Sequence, residues 1–137
     1  MAEHPEAIGK EVMPRFQAGA QVSGADYALA RRTQVEWTRA LSRLFETVDL
    51  LVLAATPVPA LPLADSDALK AAALLTRFTR VFNLAGLPAL SLPCGFTSAG
   101  LPVGLQIVGP AWAESRVLRL AGAYEAATEW HTQRPPM

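Results

Sequence analysis

Residues 90–108, with the sequence LSLPCGFTSAGLPVGLQIV, contain two short runs that favour β-strands. The first run covers residues 90–96 and the second covers residues 103–108. Between them, TSAGLP is rich in turn-forming residues and has the length of a hairpin connection. We therefore predict an antiparallel β-hairpin, and this hairpin decides how the rest of the chain can be arranged.

A third strand is predicted upstream, at residues 49–57 (DLLVLAATP). This run is apolar without alternation, which is typical of a parallel-type strand that is covered on both faces. Pro57, Pro59 and Pro62 follow and exclude both a helix and a central strand. We expect a stiff, extended loop there.

The best-defined helix is predicted to begin after Ser23, because Ser23 and Asp26 have the spacing of a capping box. Apolar residues then recur at steps of three and four, which predicts one stripe that faces the core. The stripe consists of Tyr27, Ala30, Trp37, Leu41, Leu44 and Val48.

Three more helices are predicted, at residues 5–18, 65–83 and about 113–130. Asp65, Ser66 or Asp67 would cap the second of them, and Gly86 and Pro88 would end it. The last helix is expected to present Leu118, Ala121, Tyr124 and Ala127 or Thr128 on one side.

The order of elements predicts an α/β fold, in which a mixed β-sheet is flanked by helices. We treat residues 1–137 as a single segment, with an N-terminal helix and connector at residues 1–24 and the other elements at residues 25–137. Three strands are too few to surround a strand that is buried on both faces. The pattern therefore indicates part of a larger sheet.

The composition excludes several classes of protein. Among 137 residues, 51% are hydrophobic, and 12 basic residues balance 12 acidic ones. So apolar a chain can bury a core and does not have the composition of a disordered protein. The absence of a positive charge excess argues against general binding of nucleic acid.

Membrane, disulfide and metal classes are also disfavoured. No apolar run approaches the roughly twenty residues of a spanning helix, and the N-terminus lacks the apolar segment of a secretory signal. The single cysteine excludes an internal disulfide and a multi-cysteine zinc site. We expect a cytoplasmic protein with no cofactor, no metal and no membrane or nucleic-acid partner.

The chain offers few groups for catalysis. No serine lies in a G-x-S-x-G motif, and the two lysines, Lys10 and Lys70, lie in polar or helical surroundings. Cys94 is expected to be a small apolar residue, and His131 a cap or surface residue after the last helix. We predict no catalytic residue within this chain.

Three stretches resemble the C-terminal part of the amidase-signature family. They are residues 83–91 (NLAGLPALS), 93–96 (PCGF) and 100–109 (GLPVGLQIVG). The order and spacing of Trp130-His131 and Arg134-Pro135 also match. The resemblance begins at about residue 4 and is most specific in residues 83–109.

The resemblance implies a supporting role in the hydrolysis of a carboxylic amide. Members of the family use a serine nucleophile, a second serine in a cis peptide and a lysine base, all in the N-terminal and central part of the enzyme. The motifs that carry these groups are absent from this sequence. The chain is therefore expected to supply scaffold and one wall of the acyl pocket, and to be inactive alone.

The resemblance also implies which residues form that wall: Thr76, Phe78, Phe82 and Asn83. Core packing is the alternative for the two phenylalanines. Glutaminase subunits of the family carry an acidic residue at the position of Thr76, where it helps to hold the ammonium group of the substrate. The neutral Thr76 therefore favours a less polar amide.

Two other hypotheses remain beside the C-terminal part of an amidase. The chain is a non-catalytic partner subunit of a protein that carries the serines, or an interaction domain that keeps the fold without the enzyme. The expected partners are a separate N-terminal amidase part, or a second copy bound through an exposed sheet edge. The complete enzyme would also bind a small-molecule amide.

Overall fold

The computed structural model describes residues 8–10, 12–62 and 68–134. It contains helices and strands in the predicted order. They are α1 (Met13–Ala20), α2 (Gly24–Leu44), β1 (Leu51–Ala54), α3 (Ala68–Leu75), α4 (Arg80–Ala85), β2 (Ala89–Phe96), β3 (Pro102–Val108) and α5 (Glu114–Ala127), followed by a single 3₁₀ turn, Trp130–Thr132.

The predicted hairpin is confirmed as β2 and β3, which pair antiparallel. The register shifts between the pairs Pro93–Gly104 and Gly95–Val103, so Cys94 is an extra residue in a β-bulge. Gly95 has a φ of 147°, a conformation that favours glycine. The bulge thus explains why a glycine follows Cys94.

The sheet has the strand order β1-β3-β2, and both of its pairings are antiparallel. The α/β fold class is confirmed, but the described part of the sheet is antiparallel rather than mixed. β3 lies at the centre, and its residues Ile107 and Val108 are fully buried on opposite faces. Ile107 packs with Val117 and Ala121 of α5.

The opposite face of the sheet packs against α2 and α4. There Val108 forms a cluster with Leu41 of α2 and Phe82 of α4. Leu51 and Leu53 of β1 contribute to the same cluster. Two helical layers therefore enclose the central strand.

The prediction for the first strand is wrong in extent and in kind. β1 covers only four residues, its burial alternates, and it is an antiparallel edge strand in the described part of the sheet. The side chains of Leu51 and Leu53 point to the α2 and α4 face, whereas Val52 is 54% exposed on the other face. The run is apolar throughout although one face lacks cover, because side chains alternate between the two faces of any strand.

The predicted apolar stripe of α2 is mostly uncovered. The cap itself is confirmed, since the Ser23 side chain accepts a hydrogen bond from the Asp26 N–H at 3.0 Å. However, Leu41 is the buried residue of this helix, while Tyr27 and Trp37 are 62% and 41% exposed. The first half of α2 extends beyond the sheet, where the described residues supply nothing to pack on it.

The other helices differ from the predictions mainly at their ends. α1 begins at Met13, one residue before Pro14, which is tolerated in a first turn. Residues 68–85 form two helices separated by a turn, and the predicted caps at residues 65–67 lie outside the described residues. In α5 the buried residues are Val117 and Ala121, whereas Leu118 is exposed.

Candidate functional site

The predicted pocket wall lies where α3 passes into α4. A turn at residues 76–79 separates the two helices. Thr76 ends α3 by donating hydrogen bonds from its N–H and its Oγ1 to the Ala72 carbonyl, at 3.0 and 2.7 Å. The Thr76 carbonyl in turn accepts the Arg80 N–H at 3.0 Å. This exchange of partners changes the direction of the chain.

The four predicted wall residues lie on two sides of this segment. Thr76 and Asn83 are exposed, Phe78 is half-buried, and Phe82 is only 6% exposed. Phe82 packs with Leu41 in the core of this chain, as the alternative interpretation expected. The structure thus brings Thr76 and Asn83 to the surface, and their role in a pocket stays a prediction.

The end of α4 is fixed by a Schellman motif. Gly86 has a φ of 68°, its N–H donates to the Asn83 carbonyl at 3.2 Å, and the Leu87 N–H donates to the Phe82 carbonyl at 3.1 Å. Only a residue that tolerates a left-handed backbone can occupy this position without strain. The glycine therefore holds Asn83 at a defined place.

α2 holds α4 through two side-chain hydrogen bonds. Gln34 Nε2 donates to the Leu84 carbonyl at 2.6 Å, and Trp37 Nε1 donates to the Val81 carbonyl at 3.3 Å. Both bonds join positions that are more than forty residues apart in sequence. The α4 end of the candidate wall is therefore positioned by tertiary contacts as well as by its own turn.

A second concave region was not predicted from the sequence. It is a groove of about 760 Å³ beside the bulge, lined in part by Phe96, Trp130, His131 and Arg134. The rings of Phe96 and Trp130 meet edge to face, with their centroids 6.2 Å apart. Sequence spacing gives no signal for this contact, because the two rings lie on elements that meet only in the folded chain.

The candidate nucleophiles have structural surroundings. Cys94 is half-buried in the bulge, and its Sγ lies 3.5 Å from the Val103 carbonyl as a weak donor. Ser23 caps α2, and Ser42 donates to the Thr38 carbonyl at 3.0 Å. Ser91 is exposed on β2. Each of these side chains has an ordinary role in capping, packing or surface structure.

Metal-binding clusters and membrane-spanning helices are both absent from the described part of the chain. Within residues 8–10, 12–62 and 68–134, no three His, Cys, Asp or Glu side chains are grouped so that they could hold a metal ion. Over the same residues, no helix has the length and apolar character needed to cross a membrane.

Comparison with known proteins identifies relatives of nearly the whole chain. The family model described as Amidase matches residues 2–118. A subunit of glutamyl-tRNA(Gln) amidotransferase from Synechococcus sp. strain JA-2-3B'a(2-13) is 45% identical over 135 residues, which are 95% of this chain and 26% of that protein. The corresponding subunit from Thermodesulfovibrio yellowstonii is 39% identical over 142 residues, covering 98% of this chain and 29% of that protein.

Solved structures show the same relationship. A crystal structure of an amidase is 33% identical, with a TM-score of 0.79 over 91% of this chain and 30% of its own length. The structure of 6-aminohexanoate cyclic dimer hydrolase is 25% identical, with a TM-score of 0.80 over 98% of this chain and 30% of its own.

The chain thus spans between a quarter and a third of the length of the relatives it matches. It corresponds to their C-terminal part. The match to the family model extends over most of the chain, and it includes the strands and helices that enclose the central strand. The chain belongs to the amidase-signature family.

Proposed function

We propose that this chain serves as the C-terminal part of an enzyme that hydrolyses a carboxylic amide to an acid and ammonia or an amine. It supplies scaffold and one wall of the acyl pocket, and it has no activity by itself. The observation that carries this proposal is its match, in sequence and in fold, to the C-terminal part of amidases and amidotransferase subunits. A partner that carries the catalytic serines and the lysine completes the site.

The exposed apolar surface supports this proposal. Within the described residues, α2 leaves large apolar side chains in solvent along most of its length. These residues are Tyr27, Leu29, Val35, Trp37 and Leu44. Apolar patches of this kind commonly mark an interface, and an N-terminal amidase part is a surface that would cover them.

The chemistry of Thr76 supports a substrate that is less polar than glutamine. Its side chain carries no charge, and its hydroxyl proton is used in the hydrogen bond to the Ala72 carbonyl at 2.7 Å. A substrate ammonium group at this position would therefore meet no carboxylate from Thr76. An aliphatic or aromatic amide without a second charged group suits such a wall better.

A chimera tests this function. The matching C-terminal quarter of the Synechococcus subunit is replaced by this chain, and ammonia release is followed with butyramide, benzamide and glutamine. We expect the chimera to exceed the rate of the isolated chain by at least about 10³-fold on the simple amides, because the serines and the lysine are then present. A folded chimera that hydrolyses none of these amides would contradict the proposed function.

The wall is tested in the same chimera with Thr76→Asp. A carboxylate at this position should raise the ratio of kcat/KM for glutamine to that for butyramide about tenfold, which is the scale of one charge-assisted hydrogen bond. Ser98→Asp, at the exposed tip of the hairpin, adds the same charge as a matched control. Equal ratios in the two variants would show that Thr76 does not face the substrate.

A further inference from the structure

The two outer strands of the sheet differ in the backbone groups that they leave free. Ala55 N–H donates to the Gly104 carbonyl at 2.8 Å, and Gly109 N–H donates to the Pro88 carbonyl at 3.0 Å. Hydrogen-bonded pairs alternate along an antiparallel ladder. The register therefore turns the N–H and C=O groups of Val52 and Ala54 away from β3, toward the open side of β1.

The open side of β2 is protected against pairing. By the same alternation its outward residues are Ala89, Ser91 and Pro93. Pro93 has no N–H to donate, and the bulge at Cys94 follows it directly. Prolines and bulges are devices by which natural sheets end at an edge strand. β2 thus has the features of a true edge.

The open side of β1 has no such protection. The strand contains no proline and no charged residue, and the described part of the chain provides no partner for the outward groups of Val52 and Ala54. The side chain of Val52 is more than half exposed. An apolar edge strand of this kind is a template for another strand.

A groove lies next to β1 on the face that α5 covers. It has a volume of about 550 Å³, and Leu50, Leu120 and Ala123 line it together with the ion pair between Arg116 and Asp49. Leu50 and Val52 lie on the same face because they are two positions apart along the chain. The apolar floor of the groove therefore continues onto the open edge, where a helix connected to an added strand would pack.

The geometry points to β1, and not β2, as the edge at which the N-terminal amidase part joins this sheet, by adding a β-strand beside Val52 and Ala54. This inference rests on the proposed function for the identity of the occupant. The relatives contain about three quarters of their length outside the matched region, which is ample to supply the strand and its helix. Pairing there would satisfy the outward groups of β1 and cover Val52.

Amide hydrogen exchange in the chimera tests this assignment, because an exchange rate reports whether an N–H is hydrogen-bonded whether or not the enzyme is active. We expect the Val52 N–H to exchange at least about 100-fold more slowly than the Ser91 N–H, since only the first gains a partner strand. Comparable rates at the two positions, or slow exchange at Ser91 alone, would overturn the assignment.

Two proline variants of the chimera sharpen the test. Val52→Pro removes the outward N–H at the centre of β1 and should bring the Ala54 N–H to the fast rate of Ser91. Ser91→Pro makes the matched change on β2 and should leave the exchange of Val52 unchanged; far-ultraviolet circular dichroism confirms that both variants fold. If protection of Val52 disappears on dilution as a chimera dimer dissociates, a second copy is the occupant and the assignment is wrong.

Discussion

Gly109→Ala is expected to lower the free energy of unfolding by about 2 kcal/mol, because the site has no room for a side chain. A Cβ at Gly109 would lie 2.8 Å from Val117 Cγ2 and 3.3 Å from Leu50 Cδ2. Val117 cannot give way easily, because it is buried and its branched side chain has one strongly preferred rotamer in a helix. The close approach of Gly109 to α5 is thus a condition of the packing between helix and sheet.

Gly122→Ala is the matched control for this prediction. Gly122 lies on α5, and an added Cβ there would meet nothing within 4 Å. The control should raise stability by about 0.5–1 kcal/mol, since alanine is the better helix former. Urea unfolding at one fixed protein concentration measures both changes. A Gly109→Ala variant that is as stable as the wild type would show that α5 does not pack on the sheet as described.

The isolated chain is expected to self-associate as its concentration rises. The open edge of β1 and the exposed apolar side of α2 are surfaces that a strand or a hydrophobic partner covers. Without the N-terminal part, another copy of the chain is the available partner. Light scattering should therefore give a mass above that of one chain, 14.6 kDa, at high micromolar concentration, and a falling mass on dilution.

Val52→Lys separates the open edge from general stickiness. A charge on an apolar edge strand opposes pairing, so this variant should stay monomeric to higher concentration than the wild type. Ala89→Lys places the same charge on β2, whose open side is already protected, and should change the association little. A constant monomer mass of the wild type from micromolar to millimolar concentration would contradict the inference that the chain lacks its neighbours.

Local patterns were enough to predict much of the fold. The hairpin, the cap at Ser23 and the end of α4 at Gly86 each depend on neighbouring residues, and the structure confirms them. Turn residues and capping side chains act within a few positions, so their effect is visible in sequence. The order of strands and helices followed from the same signals.

Burial was harder to predict because it depends on partners elsewhere. The stripe of α2 has the periodicity of a core face, yet Leu41 is its buried member. The run around β1 is apolar on both faces, yet the described sheet covers mainly one of them. A sequence written for a larger protein marks surfaces as apolar whether or not the covering part is present.

The candidate site was predicted only in part, for the same reason. The resemblance led to the segment around Thr76, and the structure shows that Thr76 and Asn83 reach the surface while Phe82 packs inside. The groove at Phe96 and Trp130 depends on a contact between distant elements, which no periodicity announces. Gln106, whose Nε2 is buried without a hydrogen-bond partner in the described residues, likewise gave no signal in a strand of apolar neighbours.

The central claim is that this chain takes part in amide hydrolysis without carrying the catalytic groups. Its most direct test is ammonia release by the purified, isolated chain with a panel of aliphatic and aromatic amides. We predict a rate equal to that of buffer alone, because the sequence lacks the motifs of the catalytic serines and the lysine. Turnover above that rate, abolished by Cys94→Ala or Ser91→Ala, would contradict the account and reveal an active site within the chain itself.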